Sequence, residues 1–164
     1  KNKGIEDLID VYADLLKKEN LNKLEPRLLI GGVGSEDYIK SLNKRINHKN
    51  IKFLGYVEDR YSFFNSIEIF IFPSYSEGLG LVLLEAMSYG VLCITRDVTP
   101  MNSIINNGEN GFLFKDNNEL LEKIEKALEL NSSEKDNMVK SALEKIEKSY
   151  SIMQMYLSID KAYN

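Results

Sequence analysis

The sequence predicts an α/β fold: a Rossmann-like, doubly wound parallel sheet with a C-terminal helical tail. Short runs of β-branched and aromatic residues alternate with amphipathic helical stripes along most of the chain, which is typical of parallel sheets. In the run Ile67–Phe72 five of six residues are apolar, as in strands that are buried on both faces. We therefore expect this strand to lie centrally in the sheet. The chain's 164 residues are enough for one domain with a sizeable core.

Five strands are predicted from apolar runs bounded by glycine, proline or polar residues: Arg27–Ile30, Ile51–Leu54, Ile67–Phe72, Val91–Thr95 and Gly111–Phe114. The predicted helices carry apolar residues at spacings of three and four. They lie at Ile5–Leu16, Ile39–Ile46, Tyr61–Ile67, Leu79–Tyr89 and Met101–Asn106. Gly90 is expected to end the fourth of these helices as a left-handed cap.

Further helices are predicted toward the C-terminal end. Asp116 should cap a helix that continues through Leu130, because its carboxylate can accept from the first free N–H groups. Ser132 or Ser133 should cap the next helix in the same way. A last helix is predicted at Ile152–Ala162, and its apolar face is expected to be partly bare.

Composition argues against several classes of protein. Acidic residues outnumber basic ones by 25 to 21, so the net charge of −4 argues against general nucleic-acid binding. Cys93, the single cysteine, lies in an apolar run and is expected to be a buried thiol. With one histidine besides, no zinc-type cluster is expected, and we predict neither a metal nor a cofactor. No apolar stretch approaches 18 residues and no signal peptide is visible, so we expect a cytoplasmic protein; the start at Lys1 suggests a fragment.

The stretch Ser74–Gly90 is the most informative part of the chain. Pro73 closes the preceding strand because it cannot donate to a strand ladder, and a run of good helix formers follows the loop. The loop carries Gly78 and Gly80 at the point where a helix presents unpaired N–H groups and a partial positive charge. A strand, a glycine loop and a helix in this order are typical of an anion-binding corner.

Two glutamates border this corner. Glu77 lies at the lip of the loop, and Glu85 lies one to two turns into the helix, from where its side chain can lean back toward the loop. A carboxylate among the surrounding apolar residues is costly to bury without partners. The alternative is that Glu85 faces solvent and Glu77 merely starts the helix, since glutamates are common in helices. The spacing alone leaves both interpretations open.

The segment SEGLGLVLLEAMSYG, Ser76–Gly90, resembles the signature of the retaining GT-B glycosyltransferases of the family-four (glycosyl transferases group 1) type. That signature is Ser-x-x-Glu-Gly-(Phe/Leu)-Gly, then Glu-Ala-Met, then Gly. The resemblance covers nearly the whole chain and is to the C-terminal, donor-binding lobe of such enzymes. It implies one nucleotide-sugar-binding domain, with an α/β core at residues 1–131, C-terminal helices at 132–164, and the N-terminal acceptor-binding lobe absent.

The resemblance also implies roles for individual residues. Glu85 would accept hydrogen bonds from the ribose hydroxyls of the donor, and Glu77 would be the catalytic residue, binding a sugar hydroxyl near the anomeric centre. Lys3 and backbone N–H groups would hold the donor diphosphate, while Tyr56 and Val57 would lie beside the nucleotide base. The donor-binding residues implied are Lys3, Gly34, Tyr56, Val57, Glu77, Gly78, Leu79, Gly80, Leu81 and Glu85.

The implied activity is retaining transfer of a hexose from a nucleotide diphosphate sugar to a glycan or lipid-linked acceptor, without an essential metal. We expect this in bacterial polysaccharide or cell-surface glycan synthesis. The other lobe would bind the acceptor and make any peripheral contact with the inner face of the membrane, so the fragment alone should transfer poorly. One position departs from the pattern, because Ser103 stands where Glu is usual.

Two alternatives accompany this interpretation. The first is a non-catalytic nucleotide-binding module of the same fold, used for assembly or regulation. Both glutamates and both loop glycines are present, which argues against such degeneracy. The second is an epimerase of the same architecture, which would lack the two-glutamate loop.

Overall fold

The computed structural model describes residues 3–18 and 25–150, and it confirms an α/β fold in which helices alternate with parallel strands. Its strands are β1 (Leu28–Gly31), β2 (Ile51–Gly55), β3 (Ile69–Phe72), β4 (Leu92–Arg96) and β5 (Phe112–Phe114). Its helices are α1 (Ile5–Leu15), α2 (Glu36–Arg45), α3 (Arg60–Asn65), α4 (Leu81–Ser88), α5 (Met101–Ile104), α6 (Asn117–Glu129) and α7 (Ser132–Ser149). The helix predicted at Ile152–Ala162, with its apolar face, lies outside the described residues.

The strands form two parallel groups. β1 pairs with β2, and β4 pairs with β3 on one side and β5 on the other. The prediction that the run Ile67–Phe72 lies centrally is wrong for the part of the chain that the structure describes, because β3 is there an edge of the three-stranded sheet. β4 is the central strand there, and all five of its residues are buried, whereas those of β3 are half-buried. An unbroken apolar run indicates that both faces of a strand are covered, but it does not determine which strands flank it.

Helices cover both faces of the sheet layer, as doubly wound folds require. Successive side chains of β4 point to opposite faces. Leu92 and Ile94 pack into a core shared with α1 and α6, while Cys93 packs into a second core shared with α4, α5 and α7. The α/β sequence pattern therefore produced two hydrophobic layers with β4 between them.

A large space separates the two strand groups. β1 and β3 both line one cavity of about 1260 Å³, which we call the central cavity. Its floor is apolar and includes Leu8 and Tyr12 of α1, and its rim includes Glu77 and Glu85. Among the described residues, the β1 edge away from β2 and the β3 edge away from β4 have no strand partner. The candidate site thus lies at the rim of a space that runs down between two strand edges.

The capping residue predicted from the sequence is found at α6 but not at α7. The Asp116 carboxylate accepts hydrogen bonds from the N–H groups of Asn118 and Glu119, which confirms it as the cap of α6. The prediction of Ser132 or Ser133 as the cap of α7 is wrong, because Asn131 is the capping residue. Its side chain accepts from the Glu134 N–H, and the Glu134 carboxylate accepts from the Asn131 N–H. This reciprocal pair satisfies two N–H groups, whereas a serine one residue later would satisfy one.

Within residues 3–18 and 25–150, no helix combines the length and the apolar character needed to cross a bilayer.

The buried thiol of Cys93 provides a test of the packing around β4. Its side chain is fully buried, and this burial raises the pKa of the thiol, so the reactive thiolate is suppressed. We expect no reaction of the native chain with Ellman's reagent, and complete reaction in denaturant. A Ser103→Cys variant, with its added thiol on the exposed side of α5, should react at once in the native state. Rapid labelling of native Cys93 would contradict the packing of β4.

Candidate functional site

A sharp loop joins β3 to α4 at the rim of the central cavity. Pro73 and Ser74 are buried, and Gly80 begins α4 as its N-cap in the left-handed conformation, with φ of 65°. Residues other than glycine adopt this conformation at a cost. Because the left-handed turn lies at Gly80, the helix begins at Leu81 and not at Leu79 as predicted. Gly90 follows the helix with φ of 73°, which confirms the predicted left-handed cap.

The start of α4 is an anion-binding corner in its backbone geometry. The N–H groups of Leu83 and Leu84 both donate to the Gly80 carbonyl. Helical geometry leaves the N–H groups of Leu81 and Val82 without an intrahelical acceptor, at the partially positive end of the helix dipole. Leu81 and Gly78 are both exposed at the cavity, and nothing lies within 4 Å of the place where a Gly78 side chain would begin. An anion can therefore approach this backbone closely.

Each of the two glutamates at this corner is paired with a cation from a distant part of the chain. The Lys3 ammonium donates to the Glu77 carboxylate, whose side chain is 16% exposed. Arg60 Nη1 donates to Glu85 Oε2 over 2.8 Å, and the Glu85 side chain is 25% exposed. Neither carboxylate is a freely solvated helix side chain. Partly exposed ion pairs contribute at most about 1 kcal/mol each, so a polar ligand can compete with either cation.

The structure brings most of the predicted donor-binding residues together along one cavity. The predicted residues that line the central cavity are Lys3, Tyr56, Val57, Glu77, Gly78, Leu79, Gly80, Leu81 and Glu85. Gly34 is not among the lining residues, whereas Gly31, Gly32 and Val33 of the same loop are. A side chain at Gly34 would begin 2.9 Å from the Tyr38 ring, so this glycine permits close packing of the loop against α2.

Arg60 is a cavity residue that the sequence analysis missed. Asp59 caps α3 by accepting from the Ser62 N–H, and hydrogen bonds from the Ser62 side chain and backbone lower the pKa of the Asp59 carboxyl. The cap places Arg60 in the first turn of α3, where its guanidinium contacts the Glu85 carboxylate at the cavity. Nothing in the local pattern connects residues 60 and 85, so sequence reasoning had no signal for this pair.

The position that departs from the family pattern can also be placed relative to the cavity. Ser103, where the family pattern has Glu, is exposed on α5 and does not line the central cavity. Residues 3–18 and 25–150 contain no group of three His, Cys, Asp or Glu side chains arranged to hold a metal ion.

Comparison with known proteins identifies relatives of this chain. The profile of the family described as Glycosyl transferases group 1 matches residues 1–145. The capsular polysaccharide biosynthesis glycosyltransferase CapM of Staphylococcus aureus is 30% identical over all of this chain, which corresponds to 43% of CapM. The chain spans less than half the length of the first curated relatives that it matches.

Solved structures share the fold. The C-terminal domain of LpcC, a glycosyl transferase group 1 family protein from Francisella tularensis, has a TM-score of 0.78 and 23% identity. That alignment covers 92% of this chain and 81% of the LpcC domain. Anabaena HepE in complex with UDP-glucose has a TM-score of 0.82 and 21% identity, over 99% of this chain and 45% of HepE. Both likenesses establish the fold of the chain.

The two loop glycines offer a matched test of the corner. Gly80→Ala should lower the free energy of unfolding by about 1–2 kcal/mol, the cost of a left-handed non-glycine residue. Its added methyl would also lie 3.3 Å from Ile104 Cδ1. Gly78→Ala meets no neighbour and no positive φ, so its effect should stay within about 0.5 kcal/mol. Urea unfolding measures both values, and equal effects in the two variants would contradict the geometry of this corner.

Proposed function

Because this chain belongs to the glycosyl transferases group 1 family, we propose that it is the donor-binding lobe of a retaining glycosyltransferase of the GT-B type. Its ligand is a nucleotide diphosphate sugar, bound at the corner between β3 and α4. One observation carries the proposal. Glu77 and Glu85 line the same cavity, on either side of the exposed start of α4, and each is held by a cation.

The donor diphosphate lies, in this proposal, against the start of α4. The N–H groups of Leu81 and Val82 and the helix dipole supply hydrogen bonds and positive potential there. Lys3 lines the same cavity and supplies a positive charge on a flexible side chain. In this structure its ammonium pairs with the Glu77 carboxylate. Charge develops on the diphosphate when the sugar departs, and groups already aimed at that position stabilise it without reorganisation.

Glu85 and Glu77 divide the recognition of the remaining donor groups. The ribose is a diol, so its two hydroxyls can donate to the two oxygens of the Glu85 carboxylate, while Arg60 continues to hold that carboxylate in place. Glu77 binds a hydroxyl of the transferred sugar and favours an oxocarbenium-like state at the anomeric carbon by its negative charge. Tyr56 is 69% exposed on the cavity rim and offers an aromatic face to the nucleotide base.

Two relatives support the substrate class and the pathway. HepE has been solved in complex with UDP-glucose, which supports a nucleotide sugar as the ligand of the shared fold. CapM is a glycosyltransferase of capsular polysaccharide biosynthesis, which supports polysaccharide or cell-surface glycan synthesis as the setting. The acceptor site, and any contact with the inner face of the membrane, we assign to an N-terminal lobe of the whole enzyme. No metal is required in this proposal, because Lys3 and α4 supply the positive charge.

At about 1260 Å³ the central cavity exceeds the range of about 300–1,000 Å³ that is usual for small-molecule sites, so we propose a second occupant. We assign the slot between the free edges of β1 and β3 to one more parallel strand of the whole enzyme. Gly4 lies against the Pro73 carbonyl at the carboxyl end of β3, where such a strand would end and continue into α1. A strand, α1 and β1 would then form a right-handed crossover unit. The donor then binds at the polar rim, where Glu77 and Glu85 lie.

Substitution of each glutamate by glutamine tests these assignments. Glu85→Gln keeps shape but removes charge, and a hydrogen bond to a charged group is worth about 1.5–3 kcal/mol. Nucleotide affinity should therefore fall roughly 10- to 150-fold, since each 1.4 kcal/mol is about tenfold. Glu77→Gln should spare nucleotide affinity, because its partner is the sugar, and should reduce turnover in the full-length enzyme. Calorimetric titration with UDP, GDP and their sugars measures the affinities.

A matched control is available on α7. Glu144 is also a helix glutamate paired with a cation, Lys148, but it lies away from the central cavity, so Glu144→Gln should leave affinity unchanged. Equal nucleotide affinity in the native chain and Glu85→Gln would remove Glu85 from the site. Failure of the native chain to bind any UDP-, GDP- or ADP-sugar would count against the donor-lobe function. Donor binding without any turnover in the full-length protein would favour the non-catalytic module.

A further inference from the structure

Arg96, at the end of β4, is the one buried charged residue among those that the structure describes, at 4% exposure. Its guanidinium lies between two aromatic rings, with Cζ 3.8 Å from the centre of the Tyr75 ring and 4.8 Å from that of Phe114. Stacking of this kind is specific to the planar guanidinium, and a lysine ammonium cannot reproduce it. Burying a charge costs free energy unless the charge is fully paired, so the contacts of Arg96 indicate its role.

Those contacts tie three separate segments to one side chain. Nε donates to the Pro73 carbonyl over 3.1 Å, and Nη1 donates to the Lys115 carbonyl over 2.9 Å. Nη2 faces Asp7 Oδ2 in the first turn of α1 at 3.4 Å. The Tyr75 hydroxyl donates to the same Asp7 oxygen, and because only the protonated phenol can make this bond, it raises the pKa of Tyr75. Arg96, Asp7 and Tyr75 thus form a closed ring of contacts, which we call the Arg96 ring.

The Arg96 ring joins the two segments that carry the Lys3–Glu77 pair. Asp7 lies four residues after Lys3, and Tyr75 lies two residues before Glu77. Gly4 also lies against Pro73, whose carbonyl Arg96 holds. Within the described residues neither segment is part of a strand, since Lys3 precedes α1 and Glu77 lies in the β3–α4 loop. The position of Lys3 relative to Glu77 is therefore set by what holds α1 and the loop together.

We propose that Arg96 is a positioning residue, which holds the β3–α4 loop and the start of α1 in register so that Lys3 and Glu77 meet at the cavity rim. This role deepens the proposed function, because the consequence for donor binding rests on that function. Arg96 contacts no donor group in this role. It acts through Pro73, Tyr75 and Asp7, and its loss loosens the loop and separates the cation from the carboxylate.

The test compares Arg96→Lys with a variant that weakens the core elsewhere. Arg96→Lys keeps the charge but loses the stack and the forked donor set, so amide hydrogen exchange in residues 74–80 should become at least tenfold faster. Amides of α6 should keep their native exchange. Leu120→Val, in the α6 core and away from the central cavity, serves as the stability control and should not accelerate the loop. Affinity for the probes UDP-glucose and GDP-mannose should fall at least tenfold in Arg96→Lys and stay unchanged in Leu120→Val.

A second variant keeps the test decisive should Arg96→Lys fold poorly. Tyr75 is 49% exposed, so Tyr75→Ala should fold and should loosen the same loop by removing the stack and the Asp7 bond. In the full-length enzyme, Arg96→Lys should lower kcat/KM for the donor and leave KM for the acceptor unchanged. Uniform acceleration of all amides, or native exchange of the loop in both variants, would overturn the proposal. If the native chain binds none of the UDP-, GDP- or ADP-sugars, the proposed function fails, while loop exchange still decides the role of Arg96.

Discussion

The fold depends on the burial of β4 on both faces and at both edges. Parallel pairing with β3 and β5 satisfies its backbone, and its alternating side chains hold together two hydrophobic layers. Such a strand cannot move without disrupting both layers, so its carboxyl end is a rigid point in the molecule. Arg96 lies there and contacts Pro73, Tyr75 and Asp7. In the role that we propose for it, Arg96 thereby fixes the loop that carries Glu77 to the rigid core.

Charge at the cavity rim is balanced in pairs that join distant segments. Lys3 pairs with Glu77, and Arg60 pairs with Glu85. Because each carboxylate already has a cation, the rim carries little uncompensated charge before a ligand arrives. In the proposed function, the attraction for a diphosphate comes from the N–H groups at the start of α4 and from Lys3, once its ammonium turns from Glu77 to the ligand. Such an arrangement favours a ligand that brings both an anion and hydroxyl donors, as a nucleotide sugar does.

The central cavity combines two kinds of surface, which suit different occupants. Its floor is lined by apolar residues of α1, such as Leu8, and lies between the edges of β1 and β3 that have no strand partner among the described residues. Unpaired strand edges call for backbone hydrogen bonds, which another strand supplies and a small ligand does not. Its rim holds the glutamates and the glycine loop, where polar ligand groups find partners. The volume of the cavity alone would not have distinguished the apolar floor from the polar rim.

The sequence by itself determined the order of elements, the parallel class of the sheet, the glycine corner and the cap at Asp116, because each depends on residues close together along the chain. Its resemblance to a glycosyltransferase signature likewise indicated the family, since the motif from Ser76 to Gly90 is continuous. Only the tertiary structure decided that β3 is an edge strand, that Arg60 meets Glu85, and that Arg96 joins Asp7 to Tyr75. Residues 7 and 96 are brought together by the packing of α1 beside β4, and no local period in the sequence encodes a contact of that range.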